Sequence, residues 1–178
     1  MIQKKVCMVG AFGVGKTSLV ARFVQSIFSE KYLTTVGVKI DKKQLSVDGQ
    51  EVTLMLWDLA GKDAVAAIKP EHLRGSSGYI VVADGTRAET LQAAIEIQAS
   101  TQNLIGDPPF TLVINKSDLQ DQWEIDNGRL DPLRAKGWSV VLTSAKTGDG
   151  VDGVFKDLAT RILRKSDGGE QSATASAR

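Results

Sequence analysis

KKVCMV, residues 4–9, is a short apolar run, and KTSLVARFVQSIF, residues 16–28, repeats Leu19, Val20, Phe23 and Val24 at helical spacing. A strand followed by a helix is predicted. VKIDKKQLSV and EVTLMLWD flank the pair Asp48-Gly49, a strong hairpin signal, so these two strands are expected to pair antiparallel. YIVVAD, FTLVIN and WSVVLTSA are compact runs of the kind buried inside parallel sheets. Helical patterns lie between and after them, at roughly Glu89 to Asn103, Gly128 to Lys136 and Val151 to Arg164. This alternation predicts an α/β fold: about six strands in a mostly parallel sheet with one antiparallel edge strand, and about five helices on both faces. From Ser166 the residues SDGGEQSATASAR are small and polar, so residues 1–165 are expected to form one domain and 166–178 a disordered tail. No repeat at solenoid periods is visible.

Composition narrows the partners. In 178 residues, 22 Lys plus Arg nearly cancel 21 Asp plus Glu, so net charge favours neither nucleic acid nor a membrane surface. The single Cys7 lies in an apolar run, reads as a small core residue and fits a reducing cytoplasm. The apolar run after MIQKK is too short for a signal peptide or a membrane span. Ile2 is not the glycine that myristoylation needs and SATASAR contains no cysteine box, so no direct lipid anchor is expected.

The chemistry begins at GAFGVGKT, Gly10 to Thr17, which fits G-x-x-x-x-G-K-[ST] between the first predicted strand and helix. Glycines let backbone N–H groups turn around phosphate oxygens, the helix N-terminus adds a positive dipole end, Lys16 adds a charge, and the Thr17 hydroxyl suits Mg²⁺. Phe12, Gly13, Val14, Gly15, Lys16, Thr17 and Ser18 are therefore assigned to a nucleotide. Asn115-Lys116-Ser117-Asp118 and Ser144-Ala145-Lys146 each follow a predicted strand, at the ends where doubly wound sheets bind ligands. Asp118 can accept from both N1–H and the 2-amine of guanine. Adenine offers an acceptor at N1 and no 2-amine, and a buried carboxylate facing it would be costly.

These boxes, in this order, resemble the Ras superfamily of small GTPases, and WDLAG is similar to the WDTAG of its Rab-like branch, over roughly residues 4 to 164. The resemblance implies a P-loop NTPase fold, the small G domain. It also implies Lys16 on the β- and γ-phosphates, Thr17 and Thr35 on Mg²⁺, and Asp58 holding that ion through water. The Gly61 N–H would meet the γ-phosphate, Asn115 would steady the base loops, Lys116 and Lys146 would cover the base faces, and the Ala145 N–H would meet guanine O6. The residues alone leave Thr34 and Thr35 both open; Gly37 and the spacing from Lys16 favour Thr35. Phe28 matches the family's aromatic residue against the base and equally suits a helix-end core position. The missing lipid-anchor motifs fit a bacterial member.

Two residues depart from the family. Lys62 stands where glutamine usually follows the glycine of DLAG, and an ammonium has three donors and no acceptor with which to orient an attacking water. Phe12 puts a phenyl ring where a partner's arginine finger would reach. The expectation is a monomeric cytoplasmic GTPase that cycles between GTP and GDP with slow intrinsic hydrolysis. Effectors, an activating protein and an exchange factor would be its partners. A loaded adaptor that scarcely hydrolyses is the alternative, and a P-loop kinase or ATPase is disfavoured by Asp118. KDAVAAIKPEHL lacks the usual bulky aromatics of the second switch, and His72 within it reads as a surface or satisfied histidine.

Overall fold

The computed structural model describes residues 1–30, 35, 37–61 and 68–175. Thr34 and Lys62 lie outside the described residues, as does the end of the expected tail, residues 176–178. The elements run β1 (Ile2–Gly10), α1 (Lys16–Gln25), β2 (Val38–Val47), β3 (Gln50–Leu59), α2 (Pro70–Leu73), β4 (Gly78–Asp84), α3 (Glu89–Ile105), β5 (Phe110–Asn115), α4 (Asn127–Ala135), β6 (Val140–Leu142) and α5 (Val151–Ala175). They form one six-stranded sheet in the order β2-β3-β1-β4-β5-β6. Only β2 runs antiparallel, against β3, and it is an edge strand as the hairpin requires. Asp48 and Gly49 both take positive φ, 49° and 80°, the combination a two-residue primed turn needs.

Because successive side chains of a strand point to opposite faces, β1 feeds two cores. Val6 and Met8 join Leu19, Val20 and Phe23 of α1 and Phe155 and Leu158 of α5 on one face. Cys7 and Val9 join Leu91 and Ile97 of α3 and Leu130 of α4 on the other, which makes Cys7 the expected core residue. The phenyl rings of Phe23 and Phe155 stack at 4.1 Å, locking α1 to α5. Strand order reverses direction at β1, so the C-terminal end of β1 opens between the paths to β3 and β4, where such sheets form a ligand crevice.

Several boundaries differ from the sequence pattern. α1 stops at Gln25 because Ser26 turns left-handed (φ 57°) and donates back to Arg22 O, which places Phe28 beyond the helix. β6 keeps only three residues: Thr143 N still donates to Ile114 O of β5 (2.9 Å), but the Ser144 N–H turns to Asp149 O (3.0 Å) and the chain leaves the sheet there. α2 and a 3-10 turn at Gln120–Gln122 carry too little periodicity to be read in advance. Helical backbone in α5 continues to Ala175, past the expected boundary at Ser166, since each residue added to an anchored helix gains a hydrogen bond without a new nucleation cost. Among the described residues, no helix is long and apolar enough to cross a membrane.

Candidate functional site

The loop from β1 into α1 forms one end of a cleft of about 320 Å³. That volume suits a small organic ligand. Gly15 caps α1 at φ 104°, and a Cβ there would meet Asn115 Nδ2 at 2.3 Å, so only glycine permits this approach. Lys16 is buried and donates to Gly10 O (3.0 Å) and Ala11 O (2.9 Å). Burial lowers its pKa to about 8, with Asp58 pulling it back up and Arg87 pushing it further down. Gly61 closes the same end: a Cβ would lie 2.6 Å from Lys16 Nζ and 2.8 Å from Phe12 Cα.

Beside Lys16, three oxygens converge. Thr17 Oγ1 lies 2.6 Å from Thr35 Oγ1 and donates to Asp58 Oδ2 at 2.5 Å, and Thr35 Oγ1 reaches that oxygen at 2.9 Å. With Asp58 ionised, two hydroxyl protons must serve three contacts. Among the described residues, Asp58 Oδ1 is buried without a hydrogen-bond partner. Burial pushes the Asp58 carboxyl up, and the two threonine hydroxyls, Lys16 and Lys39 only partly offset it. A carboxylate and two hydroxyls are hard oxygen donors, and a divalent cation such as Mg²⁺ would relieve both the crowding and the orphaned oxygen, so these residues fit that ion. The described residues hold no cluster of three or more His, Cys, Asp or Glu elsewhere that competes for this role.

At the other end, Asn115 holds the loops together. Its Nδ2 donates to Val14 O (3.1 Å), while Oδ1 accepts from Thr143 Oγ1 (3.1 Å) and Ala145 N (3.2 Å). Ser144 Oγ donates to Asp118 Oδ1 at 2.7 Å and so fixes that carboxylate. From α1, Arg22 Nε donates to Ala145 O (2.8 Å) and Nη2 to Lys146 O. Lys116 takes the left-handed region (φ 71°) and its Nζ pairs with Asp84 Oδ2 at 2.8 Å. Lys146 pairs with Glu30 at 3.5 Å across the mouth of the cleft.

Most residues expected from sequence meet here. Phe12, Gly13, Gly15, Lys16, Thr17, Ser18, Phe28, Thr35, Gly61, Asn115, Lys116, Asp118, Ala145 and Lys146 line one cleft. Phe28 is partly exposed on its wall, beyond the end of α1. Val14, Asp58 and Ser144 do not line it: the Val14 side chain packs in the core, Asp58 is fully buried behind Thr17 and Thr35, and Ser144 acts through Asp118. The Ala145 N–H is held by Asn115 Oδ1. His72 is half-buried, and its carbonyl accepts from Cys7 Sγ at 3.4 Å. Sequence reading missed Arg22, Asp84 and Arg87, which act through other residues; the position of Asp84 at the C-terminal end of β4 was the available signal.

The model of the Ras family matches residues 5–164. The chain is 39% identical over 162 residues to the Ras-related protein Ral-a of Drosophila melanogaster, covering 89% of this chain and 80% of that one. It is 33% identical over 164 residues to Rab-21 of Geodia cydonium (91% and 72%) and 33% over 167 residues to Rab-18-B of Danio rerio (90% and 79%). The chain belongs to the Ras family: it is a Rab-like small GTPase of the Ras superfamily, a GTP-binding protein of the switch type.

Proposed function

We propose that this protein cycles between Mg²⁺-bound GTP and GDP states, hydrolyses GTP slowly by itself, and engages effectors in its GTP form. The observation that carries this reading is one cleft with guanine-suited Asp118 at one end and, at the other, Lys16, Thr17 and Thr35, the two threonines hydrogen-bonded to Asp58 behind them, whose Oδ1 has no partner among the described residues. Bound Mg²⁺ would neutralise charge on the β- and γ-phosphates. Thr17 and Thr35 would hold it by their hydroxyls and Asp58 through water. Lys16 exchanges its two loop carbonyls for phosphate oxygens, and a bound anion compensates the burial of its charge. The Gly61 N–H meets the outermost phosphate, so Thr35 and Gly61 are the two points that lose a partner when that phosphate leaves.

Asp118 accepts from the guanine edge while Ser144 keeps it oriented, and Asn115 holds the loops that carry Lys116 and Lys146 over the base faces. Phe28 packs against the base from the cleft wall. Hydrolysis is slow because Lys62 offers donors and no acceptor for the attacking water, and because Phe12, on the rim of the cleft, narrows the approach of an arginine from a partner. An activating protein would then bring its own water-positioning side chain, and an exchange factor would release GDP. The protein acts as a monomer in the cytoplasm.

Those same two residues favour a second reading, an adaptor that stays loaded and scarcely turns over. Displacement of a fluorescent GDP by GTP and by ATP tests the common part. GTP should compete like GDP and ATP at least ~10³-fold more weakly, as expected where a buried polar group is left facing the wrong edge. Equal competition by ATP would remove the guanine-nucleotide reading.

A further inference from the structure

Three successive carbonyls of the phosphate loop are held by cations. Lys16 takes those of Gly10 and Ala11, and Arg87 Nη2 takes Phe12 O at 2.8 Å. Arg87 arrives from the turn after β4, 75 residues away in sequence. Its Nε lies 3.1 Å from Asp84 Oδ2, the oxygen that also pairs with Lys116 at 2.8 Å. The other carboxylate oxygen accepts from Thr86 N (2.9 Å) and Thr86 Oγ1 (2.7 Å). The Asp84 side chain is 1% exposed. Its orientation is fixed on all sides, and the guanidinium it carries is fixed with it.

A trans peptide sets its C=O and N–H on opposite sides. Phe12 C=O and Gly13 N–H belong to one peptide unit. Gly13 lines the cleft and Arg87 does not, so a Phe12 oxygen held on Arg87 directs the Gly13 N–H the other way, toward the cleft. A cation on the carbonyl also polarises that peptide and strengthens its N–H as a donor. Phe12 packs against Gly61, which puts this donor at the Lys16 end of the cleft.

We propose that Arg87 is a positioning residue: by holding the Phe12 carbonyl it aims the Gly13 N–H at the outer phosphates of the nucleotide. Through Asp84, which holds Arg87 and Lys116 together, it ties that donor to the guanine loop. The inference rests on the guanine-nucleotide reading above and adds the element that couples the two ends of the cleft. Lysine at this position keeps a charge yet lacks the two-pronged reach from Asp84 to Phe12 O.

The test measures dissociation constants of GDP and GMP for the full chain as wild type, Arg87→Ala and Arg87→Lys. A charge-assisted hydrogen bond lost from the outer phosphate subsite corresponds to at least ~10-fold. Arg87→Ala should therefore weaken GDP about 10-fold or more while GMP changes less than about 2-fold. Arg87→Lys should weaken GDP by a smaller factor with GMP again unchanged, and it carries the test alone if the alanine variant does not fold. Equal losses for GDP and GMP would mean that Arg87 merely supports the fold, and unchanged GDP affinity in both variants would overturn the proposal. Wild-type protein that binds ATP as tightly as GDP would instead overturn the guanine reading on which the proposal stands.

Discussion

The two ends of the cleft are finished to different degrees. At the guanine end, Asn115 has its amide nitrogen on Val14 O and its oxygen on Thr143 and Ala145, and Asp118 is steadied by Ser144. The protein satisfies itself there. At the phosphate end, Thr17, Thr35 and Asp58 crowd three oxygens around two protons, and among the described residues Asp58 Oδ1 has no partner and the hydrogen bonds of the buried Lys16 go to neutral carbonyls. Burying unpaired or poorly paired charge is costly, so this is the end that a bound cation and a phosphate would relieve. If the nucleotide lies as proposed, a site built this way would keep a constant grip on the base and leave its sensitivity at the phosphates.

The contrast breaks most visibly at Asn115. Asn115→Ala leaves Val14 O, Thr143 Oγ1 and the Ala145 N–H without their partner, so it should cost about 3 kcal/mol or more of stability and lower the melting temperature by roughly 10 °C. Nucleotide affinity should fall at least ~100-fold with it, as read by thermal melting and GDP titration. Asp58→Asn should do the opposite to stability. Replacing a buried carboxylate that has an orphaned oxygen with a neutral amide leaves the melting temperature of the nucleotide-free protein unchanged or raises it. The affinity for GTP in Mg²⁺ should nevertheless drop about 100-fold, with little difference between Mg²⁺ and chelator in the variant.

Asp84 lies between the two ends and predicts a pH dependence. Burial alone would raise its carboxyl, yet hydrogen bonds from Lys116 and Thr86 and the charge of Lys116 outweigh it and hold it below the usual value. A depressed carboxyl stabilises the fold above the unfolded value of about 4 and loses that contribution as pH falls through the folded value. The stability gap between wild type and Asp84→Asn should be about 2 kcal/mol at pH 7 and close progressively below pH 4, as measured by denaturant unfolding across pH. A gap that stays constant with pH would show that Asp84 acts by shape alone. The smallest effect belongs to Glu30, whose side chain is 80% exposed where it meets Lys146. Glu30→Ala should change GDP affinity less than about 3-fold, the usual return from an exposed ion pair.

Much of this arrangement is legible in the residues themselves, because its parts are local. Gly10 to Thr17 carries its own strand and helix, Asp48-Gly49 carries its turn, and the alternation of Val6 and Met8 with Cys7 and Val9 declares a strand buried on both faces. The parts that escape are relations between distant segments. Asp84 meets Lys116 only because β4 and β5 pair with Asp84 opposite Asn115, and Arg87 meets Phe12 only because β1 lies beside β4. No window of sequence holds either pair. Element ends escape for a related reason: whether Ser26 turns left-handed, or Ser144 turns out of the sheet, depends on partners such as Arg22 and Asp149 rather than on neighbours in the pattern.

The most direct test of the proposed switch is single-turnover hydrolysis by protein loaded with GTP and Mg²⁺, run beside Lys62→Gln and Phe12→Gly. The account predicts slow conversion to GDP by the wild type and a faster one by Lys62→Gln, since glutamine restores an acceptor for the attacking water. Fast conversion by the wild type that Lys62→Gln slows would contradict it and assign the catalytic work to the lysine.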